Sequence, residues 1–361
     1  MISKTAMLRA VYLDFRSLPP TPERLMTFPS LCLKLGIDTL YLDWGGAFPW
    51  SLDGDFLKDT YTEDLICRFT GKLRESGIRI YTAVRLLDGL LAGTGNSRLT
   101  HLSMPPRDRT KFKGTSRAFL KSAEDIRDDL VSLIPGMSGV YLGGDSFLPL
   151  DVSPEEQIQE CIGPILSIFE NENLIPVVSG SLMTRLAPGA DGPVGRAEWL
   201  VADGTIPPGS DKDRIWWYTA DPALLEGSGN GIKGVVGTVR FPECCPEAAF
   251  QFYAGEEDPP VFPGFRQFHS LLDAAWRRVR RDRERLARLS FTAAPCPADS
   301  LPGDLDEGIN ECRRKADALR YEMDGIIQED ALKSYCASRV YPLEEELSAI
   351  SVRRKHLLER F

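Results

Sequence analysis

The segment Met137–Phe147 reads MSGVYLGGDSF, and it carries the pattern that decides the fold of this chain. A short apolar run leads into Gly143 and Gly144 and then stops at Asp145 and Ser146. A continuous apolar run is typical of a buried strand, and glycines let a backbone or a ligand approach closely. We therefore predict a buried strand whose carboxyl end opens into a site. Asp145 would serve that site as a catalytic acid or as a binding group.

Similar runs recur along the first 262 residues, each next to a stretch with helical spacing. The other seven are LRAVYLDF (8–15), IDTLYLDW (37–44), IRIYTAV (78–84), LIPVVSGS (174–181), AEWLVADG (197–204), RIWWYT (214–219) and IKGVVGTVRF (232–241). Eight strand–helix units with nearly continuous apolar strands predict a (β/α)8 TIM barrel. A doubly wound α/β sheet is the alternative, but no GxGxxG motif follows the first strand.

The composition changes after residue 262, so we divide the chain into a barrel, 1–262, and a C-terminal helical region, 263–361. The region is expected to contain a long helix, a proline-rich break and a helical hairpin with helices at about 305–334 and 342–361. These helices could pack on the barrel or on a second copy in a homo-oligomer. The seven arginines between Arg277 and Arg288 favour a solvated helix face over a nucleic-acid site.

The composition of the chain limits the classes of molecule that it is expected to bind. The chain has 361 residues and a net charge of −9, from 43 basic and 52 acidic side chains, which argues against nucleic acid. No apolar run is long enough for a membrane span, and no signal-peptide core precedes the first strand, so we expect a cytoplasmic protein. The eight cysteines form no CxxC pair and there are three histidines. We therefore predict reduced thiols, no metal site and no cofactor.

Ligand sites of parallel barrels lie at the carboxyl ends of the strands. The carboxylates there that we predict as catalytic are Asp43, Asp88 and Asp145. The residues we predict to bind substrate are Trp44, Trp50, Arg85, Ser146, Trp216, Trp217 and Tyr218. Asp14, Arg16, Ser179 and Ser181 also fall at strand ends. Aromatic faces with acids suit a sugar; alternatively, the polar groups satisfy one another and the tryptophans pack under the helices.

Four segments resemble the hexosaminidase D-like branch of family 20 glycoside hydrolases, in matching order. LKLGIDTLYLDWGGAFPW (33–50) resembles that branch's second-strand pattern G-x-N-x-L-x-x-E-Y-E-D-x-F-P-Y. MSGVYLGGDSF resembles its H-I-G-x-D-E strand, and LIPVVSGSLM (174–183) its P-x-x-W-D-D-M strand. KSYCASRVYPLEEEL (333–347) resembles its terminal helix.

The resemblance implies a (β/α)8 barrel that hydrolyses N-acetylhexosaminides with help from the substrate's own acetamide. In that mechanism an Asp orients the acetamide and the adjacent Glu protonates the leaving oxygen. Asp145 matches the Asp, but Ser146 stands where the Glu is expected, and a serine hydroxyl is a poor general acid. The E-Y-E-D, Q-T-F-G-H-x-E and W-D-D motifs are altered as well, which indicates a remodelled site.

Three functions remain open from the sequence. The first is a glycoside-hydrolase-like barrel, a pseudoenzyme that binds an N-acetylhexosamine-type or acidic sugar. The second is an active glycosidase of altered specificity, β-N-acetylhexosaminidase-like, using Asp145 with Asp43 or Asp88; Arg85 would then suit a carboxylate or sulfate on the substrate. The third is a structural or interaction protein without a sugar site.

Overall fold

The computed structural model describes residues 8–16, 18–51, 60–88, 117–144, 162–185, 196–202, 212–219, 232–237, 246, 250, 263–290 and 306–359. Eight parallel strands follow one another around a closed ring, in which β8 pairs with β1. They are β1 Leu8–Asp14, β2 Thr39–Asp43, β3 Arg79–Ala83, β4 Gly139–Tyr141, β5 Ile175–Ser179, β6 Glu198–Ala202, β7 Ile215–Thr219 and β8 Gly234–Gly237. The predicted (β/α)8 barrel followed by C-terminal helices is confirmed.

Helices lie between the strands wherever the connections are described. They are α1 Pro22–Leu25, α2 Phe28–Leu35, α3 Glu63–Glu75, α4 Arg117–Leu133, α5 Gly163–Glu170 and α6 Gly180–Arg185. The sequence explains the start of α3, where the Thr62 side chain accepts a hydrogen bond from the backbone N–H of Leu65. Glu63 and Asp64 in the first turn favour the same boundary because acidic groups stabilise the amino end of a helix.

Aromatic rings fill the middle of the barrel. Side chains alternate along a strand, so every second residue points inward. Tyr41 stacks on Tyr81 with ring centroids 4.8 Å apart, and both meet the edge of Trp216, at 5.6 and 5.7 Å. The Tyr41 hydroxyl is buried and has no hydrogen-bond partner among the described residues. The described part of the barrel interior is therefore a packed core, and the Tyr41 hydroxyl within it is unsatisfied.

Glu198 closes the amino end of the barrel. It begins β6, is 5% exposed, and accepts hydrogen bonds from Trp216 Nε1 at 2.5 Å and from the Tyr81 hydroxyl at 3.4 Å. Lys233, just before β8, forms an ion pair with the same carboxylate. This end of a parallel barrel contributes to stability, whereas ligands bind at the opposite end.

Backbone conformation explains why positions 143 and 144, in the segment Met137–Phe147, are glycines. Gly143 and Gly144 have φ angles of 81° and 113°, a region that residues with a Cβ rarely adopt. A Cβ at Gly144 would also lie 2.9 Å from Leu182 Cδ2, in α6. The close approach expected here is thus made by a side chain of the protein itself.

The chain divides into two compact units, Met1–Pro259 and Pro260–Phe361. The described residues of the second unit form three helices that contact one another, and apolar residues of each are buried. The helices are α7 Pro263–Ser290, α8 Asp306–Glu322 and α9 Glu329–Leu358. Six arginines of α7 are exposed, as expected for a solvated face: Arg277, Arg280, Arg281, Arg283, Arg285 and Arg288.

The predicted boundary of the helical hairpin is wrong. A break was expected between residues 334 and 342, but α9 runs through Pro342, and the turn lies earlier, where Gly325 has φ 72°. Proline removes one helical hydrogen bond. Pro342 is exposed while Val340 and Leu343 on either side are buried, so packing keeps the helix continuous.

Two further observations bear on the composition. None of the described helices is both long and apolar enough to cross a membrane. Cys32, Cys312 and Cys336 are buried free thiols, as expected, but Cys67 is exposed; the other four cysteines lie outside the described residues. Burial raises the pKa of Cys32 to about 12, which leaves this thiol unreactive at neutral pH.

Candidate functional site

Five polar side chains from the carboxyl ends of β1, β2 and β3 form one cluster. We call it the mouth cluster, and its members are Tyr12, Asp14, Arg16, Asp43 and Arg85. Strand register explains the meeting, because Asp14 lies opposite Asp43 in the β1–β2 pair. Tyr12 is two residues before Asp14 and therefore points to the same side of β1, into the barrel.

Asp43 is the centre of the mouth cluster. Its side chain is 1% exposed, and its Oδ2 accepts a 2.6 Å hydrogen bond from the Tyr12 hydroxyl. The same oxygen lies 3.2 Å from Arg16 Nε and 3.3 Å from Arg85 Nε. Burial raises the pKa of Asp43 to about 6, even though the charges of Arg16 and Arg85 act to lower it. Asp43 is therefore a buried carboxyl that holds a tyrosine and two guanidinium groups in place.

Arg16 is fixed by Asp14. Its Nε donates to Asp14 Oδ1 at 3.0 Å and its Nη2 to Oδ2 at 2.5 Å, which is a bidentate pair. Gly45 makes room for this arginine: it has φ 52°, and a Cβ there would lie 2.7 Å from Arg16 Cγ. The Arg16 side chain is 27% exposed and that of Asp14 is 18% exposed, so both reach the solvent side of the cluster.

Arg85 is held less completely. Its Nη2 donates to the Tyr12 hydroxyl at 3.2 Å, but its buried Nε makes no hydrogen bond with any described residue, since its contact with Asp43 is an ion pair only. Arg85 has φ 47°, a left-handed conformation that is unusual for a residue with a side chain. Such conformations cost on the order of 1–3 kcal/mol and are concentrated at functional sites.

Two serines occupy the carboxyl end of β5. The hydroxyls of Ser179 and Ser181 are 2.8 Å apart, and the backbone N–H of Ser181 donates to Ser179 Oγ at 3.2 Å. They belong to the same end of the barrel as the mouth cluster, because all strands are parallel.

The predicted tryptophans have different positions. Trp44 is fully buried and packs against Phe15, Phe48 and Phe69, and Trp50 is 2% exposed. Trp216 points into the barrel but toward the amino end, where it binds Glu198. Trp217 is half-buried, and its indole nitrogen has no partner among the described residues. Burial leaves Trp44, Trp50 and Trp216 no ring face for a sugar. Trp44 packs against Phe69 of α3, whereas Trp216 lies inside the barrel and not under the helices as the alternative expected.

The remaining predicted residues cannot be placed in the site. Asp145 and Ser146 are outside the described residues, and so are the side chains of Asp88 and Tyr218. Of the predicted site, Asp43 and Arg85 are brought together. Tyr12 was not singled out, and the signal for it was available, since alternation along LRAVYLDF places Tyr12 on the face of Asp14.

The described residues contain no group of three or more His, Cys, Asp or Glu side chains that could hold a metal ion. What the mouth cluster offers is a set of hydrogen-bond donors, two partly exposed guanidinium groups, beside the partly exposed carboxylate of Asp14. Such a set can bind hydroxyl groups or an anion.

No protein-family model matches the sequence, and no curated protein does. Solved structures do match. Dispersin B superposes with a TM-score of 0.51 at 11% identity, over 68% of this chain and 96% of its own. The chitobiase of Flavobacterium johnsoniae gives 0.49 at 12%, over 70% and 47%. A β-N-acetylhexosaminidase from Bacteroides fragilis gives 0.45 at 11%, over 71% and 63%.

The chain therefore spans about half the length of the chitobiase and nearly all of dispersin B. At these identities the likeness is one of fold. The barrel is structurally similar to family 20 β-N-acetylhexosaminidases at low sequence identity.

Proposed function

We propose that the mouth of the barrel binds a sugar and that the hydrolytic mechanism of family 20 is absent. The observation that carries the proposal is the position of Asp43. This carboxyl is 1% exposed and its Oδ2 is surrounded by Tyr12, Arg16 and Arg85. It therefore orients binding groups and is almost entirely shielded from solvent.

The groups that Asp43 orients suit sugar recognition. Guanidinium groups donate to hydroxyl oxygens, and the Asp14 carboxylate accepts from hydroxyl hydrogens. The side chains of Arg16, Arg85 and Asp14 are 27%, 27% and 18% exposed, so each can reach a ligand. The barrel fold shared with dispersin B supports a ligand at this end of the strands.

The loss of hydrolysis is supported by the sequence. In the resembling mechanism a Glu follows the orienting Asp, and here Ser146 follows Asp145. Removing a general acid typically lowers the rate by about 10²–10⁴-fold. A pocket that kept only the orienting Asp would still bind its sugar, because binding and proton donation depend on different residues.

One observation favours a second candidate, an active glycosidase of altered specificity. The pKa of Asp43 is raised to about 6, which is the range in which a carboxyl works as a general acid. Its burial argues against that role, because a general acid must reach the leaving oxygen. Measuring sugar binding and glycoside hydrolysis on the same chain distinguishes the two candidates.

Calorimetric titration of the full chain tests the proposal. The ligands are methyl glycosides of N-acetylglucosamine, N-acetylgalactosamine, glucose and glucuronic acid. We expect saturable binding of at least one sugar, weakened about tenfold or more by Arg16→Gln, which corresponds to about 1.4 kcal/mol. Arg79→Gln is the matched control, since Arg79 pairs with Asp38 at the opposite end of β3.

Hydrolysis is measured in parallel with nitrophenyl glycosides of the same sugars. Turnover that Asp145→Asn abolishes would establish the glycosidase and overturn the proposed loss of mechanism. Binding that is absent for every sugar would overturn the sugar site and leave a structural or interaction protein.

A further inference from the structure

The two arginines of the mouth cluster keep unused donors. A guanidinium group has five N–H donors. Arg16 uses Nε and Nη2 on Asp14, and Arg85 uses Nη2 on Tyr12. Neither Nη1 makes a hydrogen bond to any residue within the described ranges. Both side chains are 27% exposed, so these donors can meet a ligand from the solvent side.

The carboxylates of the cluster are divided unevenly between the arginines. Asp14 binds Arg16 in a bidentate pair, with contacts of 3.0 and 2.5 Å. Arg85 has only the single contact of 3.3 Å with Asp43, and that oxygen already receives the Tyr12 hydroxyl and lies 3.2 Å from Arg16. Arg85 is thus a partly buried guanidinium without a bidentate acceptor among the described residues, although such acceptors are the partners that this group binds best.

Arg85 has a strained backbone conformation at this position. Its φ of 47° belongs to a region that a residue with a long side chain enters only when the surroundings fix it. The backbone N–H groups of Val84 and Arg85 donate to Tyr141 O at 3.0 and 3.4 Å, and Arg85 Nη2 donates to the Tyr12 hydroxyl, so these contacts help to fix it. The strained conformation directs a cation toward the ligand end of the barrel.

We infer that the sugar bound at this mouth carries an anionic group, a carboxylate or a sulfate, which pairs with Arg85 and is shared with Arg16. This inference rests on the proposed function and names its ligand class. The anion would supply the bidentate acceptor that Arg85 lacks within the described part of the chain. A neutral sugar would leave that guanidinium without one.

Matched ligand pairs test the inference on the unaltered full chain. One pair is methyl glucuronide and methyl glucoside; the other is N-acetylglucosamine 6-sulfate and N-acetylglucosamine. Calorimetry at low and at physiological salt should show at least one acidic member binding about tenfold or more tightly than its neutral partner. The preference should narrow as salt rises, because both arginines are partly exposed.

Variants then show which residue causes the preference for the acidic sugar. Arg85→Gln should bring the members of a pair to within about twofold, and Arg85→Lys should retain part of the preference, because it keeps the charge but not the fork geometry. Arg79→Gln, on the same strand, should leave the preference unchanged. Circular dichroism and thermal melting confirm that each variant is folded, and the comparison on the unaltered chain needs no variant.

The outcomes separate the two proposals. If both members of each pair bind equally, the anionic ligand is ruled out while the sugar site stands. If no sugar binds, the sugar site itself fails. Inorganic sulfate or acetate binding as tightly as the acidic sugars would show an anion site that ignores the sugar, which also overturns the inference. An acidic preference that persists in Arg85→Gln would place the anion elsewhere.

Discussion

The hydroxyl of Tyr12 donates a 2.6 Å hydrogen bond to Asp43 Oδ2, joining β1 to β2 just below the mouth of the barrel. The same hydroxyl accepts from Arg85 Nη2 at 3.2 Å, so one phenol connects three strands. Replacing either partner of this bond should therefore change the stability of the mouth cluster.

Tyr12→Phe removes this hydroxyl and keeps the ring. We expect a loss of about 1.5–3 kcal/mol in the free energy of unfolding, the usual contribution of a hydrogen bond to a charged group. The pKa of Asp43 should also rise above its present value of about 6, because the bond stabilises the carboxylate. Urea denaturation measures the first effect and carboxyl NMR titration the second. An unchanged stability and an unchanged pKa would contradict the role given to the bond.

Asp43 should make stability depend on pH in an unusual direction. Its folded pKa of about 6 exceeds the value of 3.8 for a free carboxyl, so the folded state holds the proton more tightly. The stabilisation is complete below the unfolded pKa and is lost as pH rises through the folded pKa. The difference between the two pKa values corresponds to about 3 kcal/mol.

Asp43→Asn lacks this titration. The stability of the natural chain minus that of Asp43→Asn should therefore fall by up to about 3 kcal/mol between pH 4 and pH 7. Urea denaturation of both proteins across this range provides the measurement. Parallel stability curves would show that Asp43 has the same pKa folded and unfolded.

Tyr41→Phe should behave in the opposite way to Tyr12→Phe. The Tyr41 hydroxyl is buried without a hydrogen-bond partner among the described residues, and its ring is fully enclosed. Removing an unsatisfied buried polar group is expected to leave stability unchanged or to raise it by about 1 kcal/mol. Thermal unfolding decides the point, and a clear loss of stability would mean that the hydroxyl has a partner.

Gly45→Ala should disturb the mouth cluster through Arg16. The new Cβ would lie 2.7 Å from Arg16 Cγ and 2.8 Å from Arg16 Cα, and Gly45 has φ 52°. Gly77→Ala is the control, because Gly77 has φ 74° but a Cβ added there would meet no described atom within 4 Å. Both should lose about 1 kcal/mol from backbone strain, but only Gly45→Ala should also weaken sugar binding. If Gly45→Ala and Gly77→Ala changed sugar binding equally, Gly45 would have no specific role in the binding site.

Glu198→Gln tests the amino end of the barrel. The change leaves Lys233 without its carboxylate and should cost about 3 kcal/mol or more, as expected for a broken buried ion pair. Glu170→Gln is the control, since its partner Arg196 is 66% exposed, and ion pairs with a solvent-exposed member contribute less than about 1 kcal/mol. Sugar binding by folded Glu198→Gln should be unchanged. A loss of binding would mean that this end of the barrel communicates with the mouth.

The strands could be predicted because each one is buried on both faces and reads as an apolar run. The cap at Thr62 was visible for a similar reason, since its hydroxyl and the two acids after it act locally. The end of α8 could not be placed correctly. Pro342 is a strong local signal for a break, but the burial of Val340 and Leu343 outweighs it. Such tertiary packing cannot be deduced from the local sequence pattern.

Only part of the mouth cluster could be predicted from the sequence, and its role as a site stays a prediction. Asp43 and Arg85 were found because they follow strands. Trp44 was taken for a binding residue, but alternation along β2 turns it away from Asp43 and into the layer beneath α3, where it meets Phe69. The uneven sharing of carboxylates between Arg16 and Arg85 depends on side-chain geometry, which the sequence does not carry.

The pairing of β1 with β8 has a consequence during synthesis. Leu8–Asp14 must find Gly234–Gly237, which emerge from the ribosome about 220 residues later. At roughly 5–20 residues per second, one edge of β1 stays without its neighbour for about 10–40 s. An open strand edge is a template for pairing with other chains. Chaperone dependence during translation is therefore expected to follow from the order in which the ring closes.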